Sequence, residues 1–222
     1  MKKEKNRVLT DAMAKDYAKR LKDDYQNGLR TIRQKEPKVL PKISIDNLVR
    51  ICFTEIRLSQ AQTHSERYGR LGVGFNRDFV TKKGGRRVIY IPWESDSGLL
   101  EESISSVWKK SKGSDEIHKA AKWLLAFCKP MSNGEIEGSK KYINYYDEME
   151  WRLVYGENPG RSRAWTNPRR GEHRVRFDAS DVKVIVFPND RVKQLTLDDA
   201  DMKNFFRTHQ PNLVMLKDCA HF

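Results

Sequence analysis

Acidic and basic side chains alternate with apolar ones in the stretch Asp147–Arg152, which reads DEMEWR. If this stretch is a β-strand, Glu148, Glu150 and Arg152 share one face, and the apolar side chains share the other, which we expect to meet the core. Two neighbouring carboxylates raise the pKa of at least one of them, whereas an arginine lowers it. A glutamate held in this way could act as a general base or bind a ribose hydroxyl. The alternative is a ladder of ion pairs on an exposed sheet face.

A second polar group lies earlier in the chain. Thr54 and Glu55 stand at the end of an apolar run that predicts a strand. His64 and Tyr68 are four residues apart, which puts them on one face of the helix predicted over Leu58–Tyr68. Together these residues could form a polar cluster near the end of the strand. The alternative for His64 is a surface histidine, or one whose hydrogen bonds are satisfied locally.

Positive charge is concentrated in two parts of a chain whose formal net charge is +13. Residues 1–42 carry thirteen lysines and arginines against six acidic residues, and residues 161–176 carry six arginines against one glutamate. Localised positive charge attracts polyanions, arginine forks bind phosphate, and an exposed tryptophan can stack on a base. Two alternatives stay open: a dock for an acidic partner protein, and a solvated surface. The predicted nucleic-acid contacts in the second part are Arg161, Arg163, Trp165, Arg169, Arg170, Arg174 and Arg176.

Short strands mixed with helices, without the alternation of a βαβ fold, predict an α+β fold. A helix capped by Thr10 is expected to run to about Gln34, with an apolar stripe on one face and lysines and arginines on the other. We therefore expect a basic helical extension over residues 1–42, followed by a single domain over residues 43–222. Within that domain we predict a helical insertion over residues 99–129 and a basic loop over residues 156–176.

The remaining elements follow from apolar runs and capping signals. Thr196 with Asp199 resembles a capping box and predicts the start of a last helix. The predicted strands are Ile51–Ile56, Arg87–Ile91, Tyr142–Tyr146, Glu150–Tyr155, Val182–Phe187 and Leu213–Leu216.

Several function classes are disfavoured by the sequence. No apolar run approaches the roughly 20 residues of a membrane span. The three cysteines, Cys52, Cys128 and Cys219, show no metal-binding spacing, which predicts a protein of the reducing cytoplasm without disulfides or a metal site. Nucleotide-binding P-loop, zinc-protease and serine-hydrolase motifs are also absent from the sequence.

The polar stretches resemble the AbiGi family, from about residue 50 to the end of the chain. That resemblance implies a role in bacterial abortive phage infection and toxin–antitoxin systems, in which members of the family are commonly labelled antitoxins. The residues that carry it are Cys52–Ser59, His64, Tyr68–Phe75, Lys83–Gly84, Val88–Ile91, Tyr146–Arg152 and His221–Phe222.

More distantly, the pattern resembles ADP-ribosyltransferase-like folds, which are split, mostly antiparallel sheets that bind NAD. This resemblance implies that Glu150 polarises the ribose and activates the acceptor, and that Tyr68 stacks on nicotinamide. Glu148 and His64 would complete the catalytic set. The first motif of ADP-ribosyltransferase-like folds is often a histidine followed by an aromatic residue and a threonine. It has no counterpart in this chain, because residues 1–50 contain no histidine.

The resemblance to ADP-ribosyltransferase-like folds also implies that Thr54 and Arg152 bind NAD. The leading hypothesis is therefore a component of a prokaryotic antiphage system that engages nucleic acid, with an ADP-ribosyltransferase-like activity if it is catalytic. The alternative is a non-catalytic antitoxin or assembly subunit that binds a partner toxin.

Overall fold

A computed structural model describes residues 9–33, 49–92, 98–131, 144–155, 165–166 and 173–222. Its helices are α1 (Asp11–Asn27), α2 (Ala61–Tyr68), α3 (Arg77–Lys82), α4 (Gly98–Ser111), α5 (Asp115–Leu125), α6 (Asp190–Asp198) and α7 (Ala200–His209). Its strands are β1 (Leu29–Arg30), β2 (Ile32–Arg33), β3 (Val49–Thr54), β4 (Gly72–Phe75), β5 (Arg86–Arg87), β6 (Ile89–Ile91), β7 (Cys128–Pro130), β8 (Glu150–Val154), β9 (Trp165–Thr166), β10 (Arg174–Val175), β11 (Val182–Phe187) and β12 (Asn212–Met215). Short 3-10 turns lie at Leu58–Gln60, Tyr146–Glu148, Ala179–Asp181 and Leu216–His221.

The chain divides into two compact units, each with helices and strands. This confirms the predicted α+β class. The division differs from the predicted extension over 1–42 and domain over 43–222, because α1 is grouped with the carboxyl-terminal helices. The first unit comprises Met1–Leu29, Arg57–Phe79 and Arg174–Phe222, and the second comprises Arg30–Ile56 and Val80–His173.

The first unit is built on a three-stranded sheet in the order β12, β11, β4. Strand β11 runs parallel to β12 and antiparallel to β4. Helix α1 packs along α6. An apolar core forms because each of these elements turns one hydrophobic side inward. Its buried residues include Ala14, Leu21, Ile185, Phe187, Val192, Met202 and Phe205.

Helix α1 starts and stops for local reasons. Thr10 caps its start by accepting a hydrogen bond from the amide of Met13 at 3.3 Å. The helix ends at Asn27, seven residues before the predicted end at Gln34. Gly28 ends it, because its φ of 90° is incompatible with the helix. A Cβ atom at Gly28 would lie 2.6 Å from the carbonyl oxygen of Val175, so the close approach also requires glycine.

The second unit contains an antiparallel sheet in the order β2, β3, β8, β5. Strands β6 and β7 form a parallel pair, and α4 and α5 make the crossover between them. Apart from Gly98, both helices fall in the part of the chain, residues 99–129, over which a helical insertion is predicted. Ser114 caps α5 by accepting from the amide of Ile117. Ile91, Leu125, Ala126 and Cys128 are buried together beneath the two helices.

Three further predicted elements differ from the structure. The strand predicted over Arg87–Ile91 is split at Val88, because the amide of Val88 pairs with β8, whereas that of Ile89 donates to the carbonyl of Phe127 at 2.7 Å. The strand predicted over Tyr142–Tyr146 lies partly outside the described residues, and Tyr146 opens a 3-10 turn instead.

The third difference concerns the last helices. Thr196 does not cap a helix, because it lies inside α6 and its hydroxyl donates to the carbonyl of Val192 at 2.8 Å. Asp199 caps α7 alone, accepting from the amides of Asp201 and Met202. Helix α6 was not predicted from the sequence.

Candidate functional site

Four predicted site residues meet at the amino-terminal end of β8, in the second unit: Thr54, Glu148, Glu150 and Arg152. Thr54 lies opposite Glu150 in the pairing of β3 with β8. The hydroxyl of Thr54 donates to the main-chain carbonyl of Glu148. Met149 takes a left-handed conformation, with φ 47°, and so links the 3-10 turn that holds Glu148 to the strand that holds Glu150.

Lys129 on β7 joins the two carboxylates. Its Nζ donates to Glu148 Oε2 at 2.6 Å and to Glu150 Oε2 at 2.7 Å. The other oxygen of Glu150, Oε1, accepts from Arg152 Nε at 2.7 Å. Both carboxylate oxygens of Glu150 are therefore bound to cations of the same unit. We call these four residues, Lys129, Glu148, Glu150 and Arg152, the charged cluster.

The charged cluster lies in the interior rather than on an exposed face. Arg152 is 1% exposed and Lys129 7% exposed, with both glutamates between these values. Arg152 Nη1 donates to the carbonyls of Ala126 and Cys128 at 2.7 and 3.3 Å. The predicted apolar side is buried at Leu153, but the polar side is buried as well, which excludes the alternative of an ion-pair ladder on an exposed sheet face. The polar side is buried because the turn after α5 and strand β7 supply carbonyls and a lysine that satisfy its charges.

Electrostatics fix the protonation state of Glu150. Burial by itself raises the pKa of its carboxyl group, but the charges and hydrogen bonds of Arg152 and Lys129 outweigh burial and hold the pKa at about 2. Burial lowers the pKa of Lys129, but Glu150 and Glu148 raise it above its ordinary value. Glu150 is thus a carboxylate at neutral pH and a weak base. A general base works best with a pKa near the operating pH.

The other two predicted catalytic residues, His64 and Tyr68, belong to the first unit. They lie on one face of α2, as their spacing predicts, with ring centroids 4.5 Å apart and the rings stacked at 30°. Tyr68 is 57% exposed. The structure thus shows them as a stacked pair on the surface of α2.

Sequence reasoning missed Lys129, which contacts both predicted glutamates. A signal for it existed: the lysine follows Phe127 and Cys128 and precedes Pro130, so it interrupts an apolar stretch. It also missed Tyr90, whose hydroxyl accepts from the amide of Glu150 at 2.8 Å.

Glu55 belongs to a separate contact rather than to the charged cluster. It forms an ion pair with Arg87 and accepts from Trp151 Nε1 at 3.0 Å. The guanidinium of Arg87 lies 5.3 Å from the centre of the Trp151 ring. Trp151 and Arg152 are consecutive on β8, and successive side chains of a strand point to opposite faces of the sheet. The contact of Glu55 with Trp151 and the charged cluster therefore lie on opposite faces.

The predicted nucleic-acid contacts divide into three groups. Arg174 is 3% exposed, and it pairs with Asp23 at 2.9 Å and with the carbonyl of Gly28 at 3.1 Å, which does not fit a phosphate contact. Arg176 is exposed and Trp165 is half-buried. The others lie outside the described residues: Arg161, Arg163, Arg169 and Arg170.

Helix α1 is not the basic surface that the sequence predicted. Its four lysines and arginines are matched by four aspartates within the helix. Lys22 pairs with Asp199 and Asp201 at 2.7 and 2.9 Å, and Arg191 of α6 pairs with Asp11 at 2.8 Å. These ion pairs tie α1 to the rest of the first unit.

The described residues contain no group of three or more histidine, cysteine or acidic side chains that could hold a metal ion. Within the same residues, no helix combines the length and the apolar character needed to cross a membrane.

Residues 30–188 match the family described as "Putative abortive phage resistance protein AbiGi, antitoxin". The chain belongs to the AbiGi family. The matched AbiGi region contains the whole charged cluster, the α4–α5 crossover and the Tyr68–Phe75 motif. This membership places the chain among the proteins of abortive phage infection and toxin–antitoxin systems, as the sequence predicted.

Neither the curated proteins nor the solved structures contain a match to this AbiGi chain. The predicted resemblance to ADP-ribosyltransferase-like folds therefore gains no support from these comparisons.

Proposed function

We propose that this AbiGi protein is a non-catalytic antitoxin that acts by binding a partner toxin. The observation that carries the proposal is the state of Glu150, the residue that a transferase would need most. Its two carboxylate oxygens are held by Arg152 and Lys129 in the interior of the second unit. Glu150 is thereby prevented from polarising a ribose hydroxyl or accepting a proton from an acceptor.

The charged cluster has a structural role in this proposal. Lys129 connects β7 to β8 and to the 3-10 turn, while Arg152 connects β8 to the end of the α4–α5 crossover. Buried ion pairs of this kind add little net stability. An arrangement of the chain that separates the two charges of such a pair is strongly disfavoured, because it leaves a buried charge without its partner. The cluster thus selects one arrangement of these elements, and a protein that recognises a partner by shape benefits from such a fixed scaffold.

The ADP-ribosyltransferase hypothesis ranks second, because it requires these contacts to break. Glu150 would have to leave two cations before it could act on NAD. Arg152, assigned to NAD, is 1% exposed, and the hydroxyl of Thr54, assigned to the same ligand, donates to the carbonyl of Glu148. Each assigned group is already engaged within the protein.

The two functions are separated by a charge-matched double variant. In Lys129→Met with Glu150→Gln, one cation and one anion leave together, so that the net charge of the interior stays the same. The variant is expressed with the protein encoded by the neighbouring gene, and growth and co-purification are measured. We expect wild type and double variant to bind the neighbouring protein and to relieve its toxicity equally.

Purified wild type is assayed in parallel for NAD consumption, alone and with the neighbouring protein. We expect none. NAD turnover by wild type that the folded double variant lacks would contradict the proposal, as would loss of protection with binding intact. Circular dichroism and thermal unfolding establish that the double variant is folded.

A further inference from the structure

The first unit contains an open cleft of about 500 Å³. Its walls come from the last turn of α1, from the segment that leads into β11 and from the end of α7. Pockets that bind small ligands fall in the same range of size. We call this the aromatic cleft. Its lining includes Tyr25, Gln26, Phe177, Asp178, Ser180 and His209.

The three aromatic rings of the cleft are held in place by other rings of the same unit. Tyr25 packs on the buried Phe205, with ring centroids 4.7 Å apart, and His209 packs on the same ring at 5.8 Å. The ring of Phe177 contacts that of Phe75 edge to face at 5.1 Å. The rings are therefore positioned before a ligand arrives, which favours binding because little ordering is needed.

Hydrogen-bond acceptors also line the aromatic cleft. Asp178 is exposed and supplies a carboxylate, and Ser180 supplies a hydroxyl. The side-chain nitrogen of Gln26 donates to Asp201 at 3.0 Å, which leaves the oxygen of that amide as an acceptor. The lining thus combines acceptors with a negative charge, and it favours a cation that donates several hydrogen bonds.

Two helices end at the aromatic cleft. Tyr25 and Gln26 lie in the last turn of α1, and His209 is the last residue of α7. The carboxyl-terminal turn of a helix carries the negative end of its dipole, which attracts cations. The last turn of α1 contains no basic residue. The dipole of α1 and the carboxylate of Asp178 therefore both favour a bound cation.

We infer that the aromatic cleft is a binding site for a guanidinium group, as carried by free arginine or by an arginine side chain of a peptide. A guanidinium is flat, so it stacks on aromatic rings, and its five N–H groups match a lining of acceptors. An ammonium is compact and strongly hydrated, so it fits this lining less well. The site goes beyond the proposed antitoxin role, which requires no such ligand. Three lining residues, Tyr25, Gln26 and His209, lie outside the residues matched by the AbiGi family.

Binding is tested by isothermal titration calorimetry at pH 8 with N-acetyl-arginine amide. We expect a Kd of about 0.5 mM, the affinity that typical binding energies per atom give for a ligand of this size. N-acetyl-citrulline amide has the same shape without the charge and should bind about tenfold more weakly. N-acetyl-lysine amide should bind about threefold more weakly. Equal binding of the three compounds, or no binding of the arginine compound, would overturn the inference.

Asp178→Asn should weaken the binding of N-acetyl-arginine amide by about fivefold or more. The substitution removes the carboxylate, and asparagine caps a helical turn as well as aspartate does, so the turn that follows is kept. Asp190→Asn is the matched control, because it removes one negative charge from the same unit, at a side chain that is 82% exposed. It should change the affinity less than about twofold. Equal affinities of wild type and folded Asp178→Asn would contradict the site.

A second measurement on the wild-type chain does not depend on whether the variants fold. The backbone amide resonances are followed by NMR while N-acetyl-arginine amide is added. We expect the largest shifts at Tyr25, Gln26, Phe177 to Ser180 and His209, and shifts confined to other residues would refute the site. Free arginine and a blocked pentapeptide with arginine between glycines are titrated in the same way. The tighter of the two identifies whether a free compound or a protein chain supplies the guanidinium.

Discussion

At the scale of single residues, the four charged side chains of the charged cluster are buried together in the interior of the second unit. Each buried ion costs several kcal/mol in lost hydration, which only good geometry and extra hydrogen bonds recover. Here the distances between charged atoms are 2.6 to 2.7 Å, and two main-chain carbonyls accept hydrogen bonds from Arg152 Nη1. The cluster is therefore stable as a set and vulnerable to the loss of any one member.

Arg152→Leu tests this vulnerability. The substitution leaves Glu150 buried with one cation fewer, and we expect the free energy of unfolding to fall by about 3–5 kcal/mol. Arg87→Leu on the neighbouring strand is the matched control, because its side chain is 52% exposed and its ion pair with Glu55 should be worth less than about 1 kcal/mol. Urea unfolding at pH 7 measures both, and equal losses would show that burial of Arg152 has no energetic consequence.

The low pKa of Glu150 makes stability depend on pH. Its pKa is about 2 in the folded protein and about 4.3 in an unfolded chain. The stabilisation is therefore complete above the unfolded pKa and is lost as pH falls through the folded one, with a total of roughly 3 kcal/mol. Glu150→Gln should be less stable than wild type at pH 7, and the difference should shrink steadily between pH 5 and pH 2.

Urea unfolding at intervals of half a pH unit measures this difference. Asp147→Asn is the control, because it removes an exposed carboxylate from the same segment. Its difference from wild type should stay small and nearly constant. A difference for Glu150→Gln that does not change with pH would contradict the assigned ion pairs.

At the scale of elements, sequence periodicity located most of the described helices and about half of the described strands, but not the partners of those strands. The apolar run Val182–Phe187 formed the predicted strand because its valines, isoleucine and phenylalanine favour a buried sheet. The run Arg87–Ile91 looked equally continuous, but it splits because its two halves pair with different strands. Such a partner change depends on residues distant in sequence. Lys129 was missed for the same reason, because the two glutamates that it contacts follow it in the sequence by 19 and 21 positions.

The end of α1 provides a test at this scale. Gly28 has a φ of 90°, and a Cβ atom there would lie 2.6 Å from the carbonyl oxygen of Val175. Gly28→Ala should therefore lower the free energy of unfolding by about 1–3 kcal/mol. Gly113→Ala is the control, because the nearest atom to its added Cβ lies 3.9 Å away, and it should shift stability by less than about 0.5 kcal/mol. Similar effects of the two substitutions would contradict the described end of the helix.

At the scale of the whole molecule, the two units could not be read from the sequence, because neither is continuous in it. Three separate segments build the first unit and two build the second. Composition pointed instead to a boundary at the basic stretch near residue 42. Two ion pairs show why that signal misled: Lys22 of α1 pairs with Asp199 at the start of α7, and Asp11 of α1 pairs with Arg191 of α6, so the charges of the helix bind it to its own unit. Charge excess along the chain marks surface chemistry, not the limits of a compact unit.

The interiors of the two units differ in kind, which predicts how each responds to acid. The first unit buries a core of apolar residues such as Ile185, Phe187 and Phe205, and the second buries the charged cluster beside a smaller apolar group. Protonation of Glu150 weakens only the second interior. On going from pH 7 to pH 3, amide protection corrected for intrinsic exchange rates should fall more in β8 than in β11.

Hydrogen exchange followed by mass spectrometry measures this contrast, with peptides covering Glu150–Val154 and Val182–Phe187. In Glu150→Gln the protection of β8 should already be low at pH 7 and should change less on acidification. An equal fall in both strands of wild type would mean that the two units unfold as one cooperative body, in which case the acid response belongs to the whole chain. A larger fall in β8 would instead show that the charged cluster governs the stability of its own unit, because β11 contains no residue of that cluster.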